Sequence, residues 1–289
     1  MASVAEIVTE KILAMLDKGT IPWRKPWSGG GCRMPCNLIS GKAYRGINML
    51  LLSMLDKPSR HWLTFNQAKA KGGTVRKGEK GAMVVFFKMV EGNKADAAGN
   101  AKRFPMMRYY TVFNLSQCDG IEDPDAKAIE VRDFTPIEAA RRIMEGMPTC
   151  PPIVHEEQKA VYRTLTDTIN LPRPETFTKG EEYYCAAFHE QGHATGHKSR
   201  LDRNLLGDGE DYAREELIAE MTAAFLCGEA GIDAATIENS AAYIDTWRKR
   251  ISADPKLVTA AAQAGQKAAD YIMGKLAKVE AEASEESED

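Results

Sequence analysis

The sequence predicts an α+β protein: a small mixed unit of helices and strands over residues 1–125, a mainly helical unit over 126–280, and a disordered acidic tail over 281–289. Three observations predict it. Two β-rich apolar runs, 82–90 and 108–115, lie in the first part among helical patterns, as an antiparallel pair would. Beyond residue 135 the apolar residues recur mainly at three- and four-residue spacing. The charge also changes sign: residues 1–125 hold 19 basic and 11 acidic side chains, and the remainder holds 19 and 30.

Residues 4–18 form the first expected helix, with Ile7, Val8, Ile12, Leu13, Met15 and Leu16 at helical intervals and Gly19 ending it. Residues 21–31 hold Trp23 and Trp27 beside Arg24 and Lys25, among prolines and glycines that exclude regular structure. Exposed Trp is costly. The rings are either pinned to the core or serve as a surface on which bases stack while the two cations meet phosphates, and the pattern leaves both open. Residues 47–55 are apolar enough for a buried helix. Thr64 is placed to cap a short helix that ends near Gly72 and Gly73. Residues 74–81 form a basic loop before the first strand, 91–102 a polar connector, and 119–135 an acidic, Pro-containing linker. Helices are then expected at 136–145, 181–195, 212–227, 239–251 and 254–282, with a strand or edge near 155–161 whose lone His155 is structural.

Composition narrows the class. The 289 residues are 44% apolar and 27% charged, as in ordinary globular proteins. No apolar run reaches 18 residues, so no membrane-spanning helix is expected. The start carries Glu6 and Glu10 and lacks the basic head and apolar core of a signal peptide, which points to the cytoplasm. Six scattered cysteines imply reduced thiols. Cys32 and Cys36 are the one close pair, and a loop with two thiols is preferred there to a zinc site. A basic first half fits a polyanion-binding module.

The clearest chemistry is Phe188-His189-Glu190-Gln191-Gly192-His193, an H-E-x-x-H pattern. Histidines four apart share a helix face and can hold one metal ion, and Glu190 is then the general base for a water bound to it. Three of the five histidines fall within nine residues here. A third protein ligand is required. Glu216 and Glu220 are four apart on a helix beside the apolar stripe of Leu217, Met221, Ala224 and Phe225, where a carboxylate needs a partner or a metal. Glu216 is assigned as ligand and Glu220 as the group orienting a ligand histidine, the reverse staying open. His197, just past Gly196, does not match the third-histidine spacing of metzincins; it is left with oxyanion stabilisation or substrate contact. Two His and one carboxylate suit Zn and also admit Mn or another divalent metal.

Longer strings carry a resemblance across nearly the whole chain. In the first half they are residues 21–27, 41–48, 62–68, 75–81 and 111–114; in the second, 189–203 and 215–226. With these the sequence resembles the ArdC-type antirestriction proteins of conjugative plasmids and phages, whose N-terminal part also begins TraC-type primases. The resemblance implies a single-stranded-DNA-binding domain followed by a zincin-like metallopeptidase domain, and protection of incoming DNA from host restriction. Arg45, Asn48, Trp62, Phe65 and Lys77 lie in the shared strings and join Trp23, Arg24, Lys25 and Trp27 as expected single-strand contacts. The E-x-x-x-[DEN] pattern of related zincins falls on Glu216 and Glu220. Two further readings remain: a DNA-targeted metallopeptidase that cleaves a host protein, and a zinc-stabilised binding module without catalysis.

Overall fold

The computed structural model describes residues 3–24, 34–55, 57–95, 101–127, 136–205, 207, 209–232 and 241–276. Trp27, Lys25, Cys32 and the acidic tail lie outside them. α1 (Val4–Leu16) opens with a capping box in which Ser3 and Glu6 satisfy each other's backbone N–H groups, and it buries Val8, Ile12 and Leu16. A single 3-10 turn, Pro22–Arg24, follows. β1 (Cys36–Asn37), α2 (Ile47–Ser53), β2 (His61–Leu63) and α3 (Phe65–Ala70) come next, and Thr64 caps α3 as expected. β3 (Thr74–Val75) pairs with β6 (Cys118–Asp119).

Between them runs a ribbon of two 14-residue strands, β4 (Ala82–Ala95) and β5 (Ala101–Asn114). The expected antiparallel pair is present and longer than expected. Residues 91–95 and 101–102, assigned from sequence to a polar connector, belong to the strands: Glu91 pairs with Arg103 and, after a register shift, Ala95 pairs with Ala101. Ladder hydrogen bonds are made by backbone, so a polar stretch can rejoin the ladder beyond such an irregularity. β2 and then β1 extend the sheet beyond β5.

The expected linker is fastened over its first part. Asp123 accepts from Ser59 Oγ at 2.6 Å and meets His61 Nδ1 at 3.0 Å, while Arg60 Nε donates to Asp125 at 2.6 Å. The second half contains α4 (Pro136–Glu145), a small sheet of β7 (Ile153–Val154), β8 (Val161–Arg163) and β9 (Thr168–Asn170), and then α5 (Gly180–Ala194), α6 (Gly209–Ala230), α7 (Ala241–Ala253) and α8 (Leu257–Ile272). α8 ends at Ile272, within the expected 254–282, whose last residues, 277–282, lie outside the described residues. Gly274 takes φ +65°, and the Lys275 N–H returns to the Asp270 carbonyl, the hydrogen-bond closure of a glycine-terminated helix.

One apolar core crosses residue 125. Val8, Ile12, Leu16, Trp23, Met49 and Leu50 from the first half share a cluster with Phe188, Leu217, Met221, Phe225, Trp247 and Val258 from the second. Polar ties reinforce it: Thr9 Oγ1 donates to the Pro255 carbonyl, the Gly46 N–H to Gln266 Oε1, both at 2.8 Å, and Arg45 pairs with Asp270. Each large side chain buried in this way contributes about 1.5–3 kcal/mol, so the first half steadies the helices that carry the site. No described helix is long and apolar enough to cross a membrane.

Candidate metal centre

α5 carries His189 and His193 one turn apart on one face. α6 packs antiparallel against it, meeting Gly192 at Ala219, His193 at Glu215 and Cys185 at Cys227. A Cβ on Gly192 would sit 3.1 Å from the Ala219 Cα, so the missing side chain is what lets these helices approach. The approach places Glu216 over the histidine pair. His189 Nε2 and His193 Nε2 are 3.2 Å apart, and Glu216 oxygens lie 3.5 Å from His193 Nε2 and 3.8 Å from His189 Nε2. Donors about 2.1 Å from one tetrahedral ion stand roughly 3.4 Å from each other, so the triangle fits a divalent cation.

A layer behind the triangle orients it. His193 Nδ1 lies 3.3 Å from Glu215 Oε1. A carboxylate only accepts, so Nδ1 carries the proton and Nε2 keeps its lone pair for the centre. Glu215 receives the Arg203 guanidinium at 2.9 and 2.7 Å, and Arg203 also donates to Thr195 Oγ1 and the Gly192 carbonyl, both at 2.8 Å. Burial, then the neighbouring imidazole, pushes His189 below its ordinary pKa. Burial acts in the same direction on His193, but the Glu215 bond and the carboxylates of Glu216 and Glu190 outweigh it and leave the value raised. For Glu215 burial works upward, and Arg203 with His193 overcomes it and holds the carboxylate below its usual range.

Glu190 is 7% exposed, and its carboxylate accepts the Tyr162 backbone N–H of β8 at 2.6 Å. The small sheet is thus docked on α5 at the residue expected as base. Arg200 fastens that sheet by pairing with Asp167 and donating to the Tyr162 hydroxyl at 3.3 Å. Burial, then the bond to Asp167, pushes this hydroxyl up to about 12. A cavity of about 740 Å³ opens beside the triangle; His189, Glu190 and Glu216 line it, with Trp23, Tyr243 and Trp247 among its walls. Tyr212, also lining the cavity, is held above the usual phenol pKa, first by its hydrogen bond to Glu216.

Several expected roles fall elsewhere. Glu220 lines the cavity, but its carboxylate accepts from the Tyr243 hydroxyl at 2.6 Å; the contact that orients His193 belongs to Glu215. Successive helical residues differ by about 100° in direction, so Glu215 reaches behind the histidine, while Glu220, on nearly the same face as Glu216, lines the cavity one turn on and meets Tyr243 of α7. His197 pairs through Nδ1 with Ser199 Oγ at 2.8 Å and is not among the cavity-lining residues. Glu215, Arg203 and Tyr162 were missed. The doubled acid Glu215-Glu216 was the available signal, but only the rotation of α6 tells the two apart.

The expected single-strand contacts divide likewise. Trp23 is 1% exposed and meets Trp247 edge-on at 5.7 Å, so it is a core ring and not a stacking surface. Trp62 is buried in β2. Asn48 is occupied with backbone, its amide donating to the Val85 carbonyl at 2.7 Å and accepting the Val85 N–H at 2.6 Å. Arg45 is paired with Asp270. Phe65 and Lys77 are exposed; Lys25, Trp27 and the Arg24 side chain lie outside what is described. Further exposed rings stand on the ribbon: Phe86, 57%, and Tyr110, 48%, packed edge to face at 5.7 Å, with Phe87 and Tyr109 also open. The pairing puts Phe86, Arg108 and Tyr110 on one face of the ribbon and Phe87 and Tyr109 on the other.

Comparison with known proteins agrees with this architecture. Residues 2–113 match the model for the N-terminal domain of anti-restriction factor ArdC, and residues 139–264 match the model for a zincin-like metallopeptidase. The crystal structure of antirestriction protein ArdC from plasmid R388 in its metal-free form is 36% identical, with a TM-score of 0.76, covering 96% of this chain and 99% of that one. The Mn(II)-bound structure of the same protein gives 0.74 over the same shares. DNA primase TraC of Escherichia coli is 36% identical over 93% of this chain, which spans only 20% of the primase. An uncharacterized protein of Sinorhizobium fredii, y4eC, is 34% identical over 93% of this chain and 91% of its own length. The chain belongs to the ArdC antirestriction family, with an ArdC-type N-terminal domain joined to a zincin-like metallopeptidase domain.

Proposed function

We propose that this protein binds single-stranded DNA, shields incoming plasmid or phage DNA from host restriction, and holds a divalent metal at His189, His193 and Glu216. The donor triangle, with one imidazole already oriented by Glu215, supports the metal reading. Zn suits two His and one carboxylate, and Mn is favoured by the Mn(II)-bound relative. When bound, the ion supplies Lewis acidity and makes water more acidic. The chain's own part is to fix the histidine tautomer, exclude bulk water with the aromatic walls of the cavity, and present Glu190 as the proton acceptor.

The DNA reading is supported by the basic first half and by exposed rings on the β4–β5 ribbon. Residues 82–114 carry five basic and two acidic side chains. Stacking on Phe86 and Tyr110 needs no particular base, and Arg108 lies on the same face of the ribbon to meet phosphate. The test is binding of single and duplex DNA over a salt series, alongside elemental analysis of the purified chain. Single-strand affinity should dominate and fall steeply as salt rises. Equal affinity for duplex, or no binding at low salt, refutes the DNA half.

A second reading, a DNA-targeted metallopeptidase that cleaves a host protein, is favoured by Glu190 lining a cavity large enough for a peptide side chain. Glu190→Gln decides between them: protection retained with metal bound supports DNA shielding alone, and protection lost supports cleavage.

A further inference from the structure

α5 and α6 meet a second time at the cavity wall, where Cys185 Sγ and Cys227 Sγ stand 3.0 Å apart. Cys185 lies one turn before His189 and is partly exposed, whereas Cys227 is fully buried; both line the cavity that holds Glu190 and Glu216. The two sulfurs are thiols. A displacement of about an ångström would bring them to the S–S bond length. Both belong to helix interiors packed in the main core, so they stay close without needing a loop to fold over.

We propose that Cys185 and Cys227 form a redox-modified pair, which an oxidant of the hydrogen peroxide class converts to a disulfide joining α5 to α6 at the wall of the cavity. The difference in exposure assigns the steps. The Cys185 sulfur attacks one peroxide oxygen, the O–O bond breaks, and the departing oxygen leaves as water with the thiol proton and the peroxide's own; Cys185 is now a sulfenic acid. The Cys227 sulfur attacks Cys185 Sγ, the S–O bond breaks, and the hydroxyl leaves as a second water with the Cys227 proton. The two thiols give up two electrons and two protons, and the peroxide takes both. Thiol–disulfide exchange with a small-molecule thiol reverses the change. The bond spans 42 residues of sequence and holds the two helices at one spacing, without consuming His189, His193 or Glu216. It does not depend on what the triangle binds.

The test uses the full chain, treated with hydrogen peroxide, then denatured, alkylated and digested without reductant. The expected result is loss of alkylation at Cys185 and Cys227 together, a linked peptide pair joining them, and recovery of both thiols after a dithiol reductant. C227S, treated the same way, should stop at a sulfenic acid on Cys185 that a cyclic-dione reagent traps. Continued alkylation of both residues after peroxide overturns the proposal, as does linkage of either one to a different cysteine. The linked peptide is read on the unsubstituted chain, so poor folding of C227S does not alter the outcome.

Discussion

The helix pair α5–α6 and the ribbon β4–β5 treat water in opposite ways. Around the triangle, charge goes inside and is matched: His193 with Glu215 and Arg203, Glu190 with the Tyr162 N–H, Glu220 with Tyr243. On the ribbon, aromatic rings that would favour burial stay in solvent on both faces. A buried charge network is tolerated only when complete, so a change in the helix pair costs stability along with binding. Exposed rings contribute little to the fold, and a change there costs binding alone.

The largest expected effect tests the triangle. His193→Ala should take the metal content of the purified chain from stoichiometric to background by elemental analysis; unchanged content removes the site from the helix pair. Next is the ring that left the DNA surface for the core. Trp23→Ala should lose about 3–5 kcal/mol in denaturant unfolding. A normal midpoint with lost single-strand binding would return Trp23 to the surface and erase the contrast.

Smaller effects sharpen it. Glu215→Gln should weaken metal affinity about 10–100-fold in a chelator competition, more than Glu220→Gln, because Glu215 orients a ligand and Glu220 answers to Tyr243. Equal losses would give the orienting role to both. Phe86→Ser and Tyr110→Ser should each weaken single-strand binding by about 1–3 kcal/mol in titration with the unfolding midpoint unchanged. The smallest concerns pH. Partial burial works upward on Asp167, but Arg200 and Tyr162 win and hold it below its usual range. Its stabilisation is therefore complete above the ordinary Asp value and is lost as pH falls through the lower folded value. Asp167→Asn should flatten that part of the acid unfolding profile.

Where structure departs from sequence, the reasons are local. The α3 cap at Thr64 was legible because capping needs only neighbours in the chain. The Trp23 loop was not: prolines and glycines exclude helix and strand, but they say nothing about which surface a ring meets. The ribbon's length was understated because Gly and Asn at 92–93 weaken a strand pattern, and the backbone absorbs them as a register shift between Glu91 and Ala95 after which pairing resumes. The site divides similarly. H-E-x-x-H and the face of Glu216 could be named from spacing, while Glu215, Arg203 and Tyr162 reach the site from three separate segments.

The sequence by itself determined the helical register of His189 and His193, the acids within reach of them, the sign of charge in each half, and the family. These rest on periodicity and composition, which act over a few residues. Only the tertiary structure decided that the first half buries Trp23 against the second, that Glu215 stands behind His193, and that Phe86 and Tyr110 form an open pair of rings. Those outcomes depend on how helices rotate and which faces meet when distant segments pack, and five residues of helix turn Glu220 about 140° from the direction of Glu215.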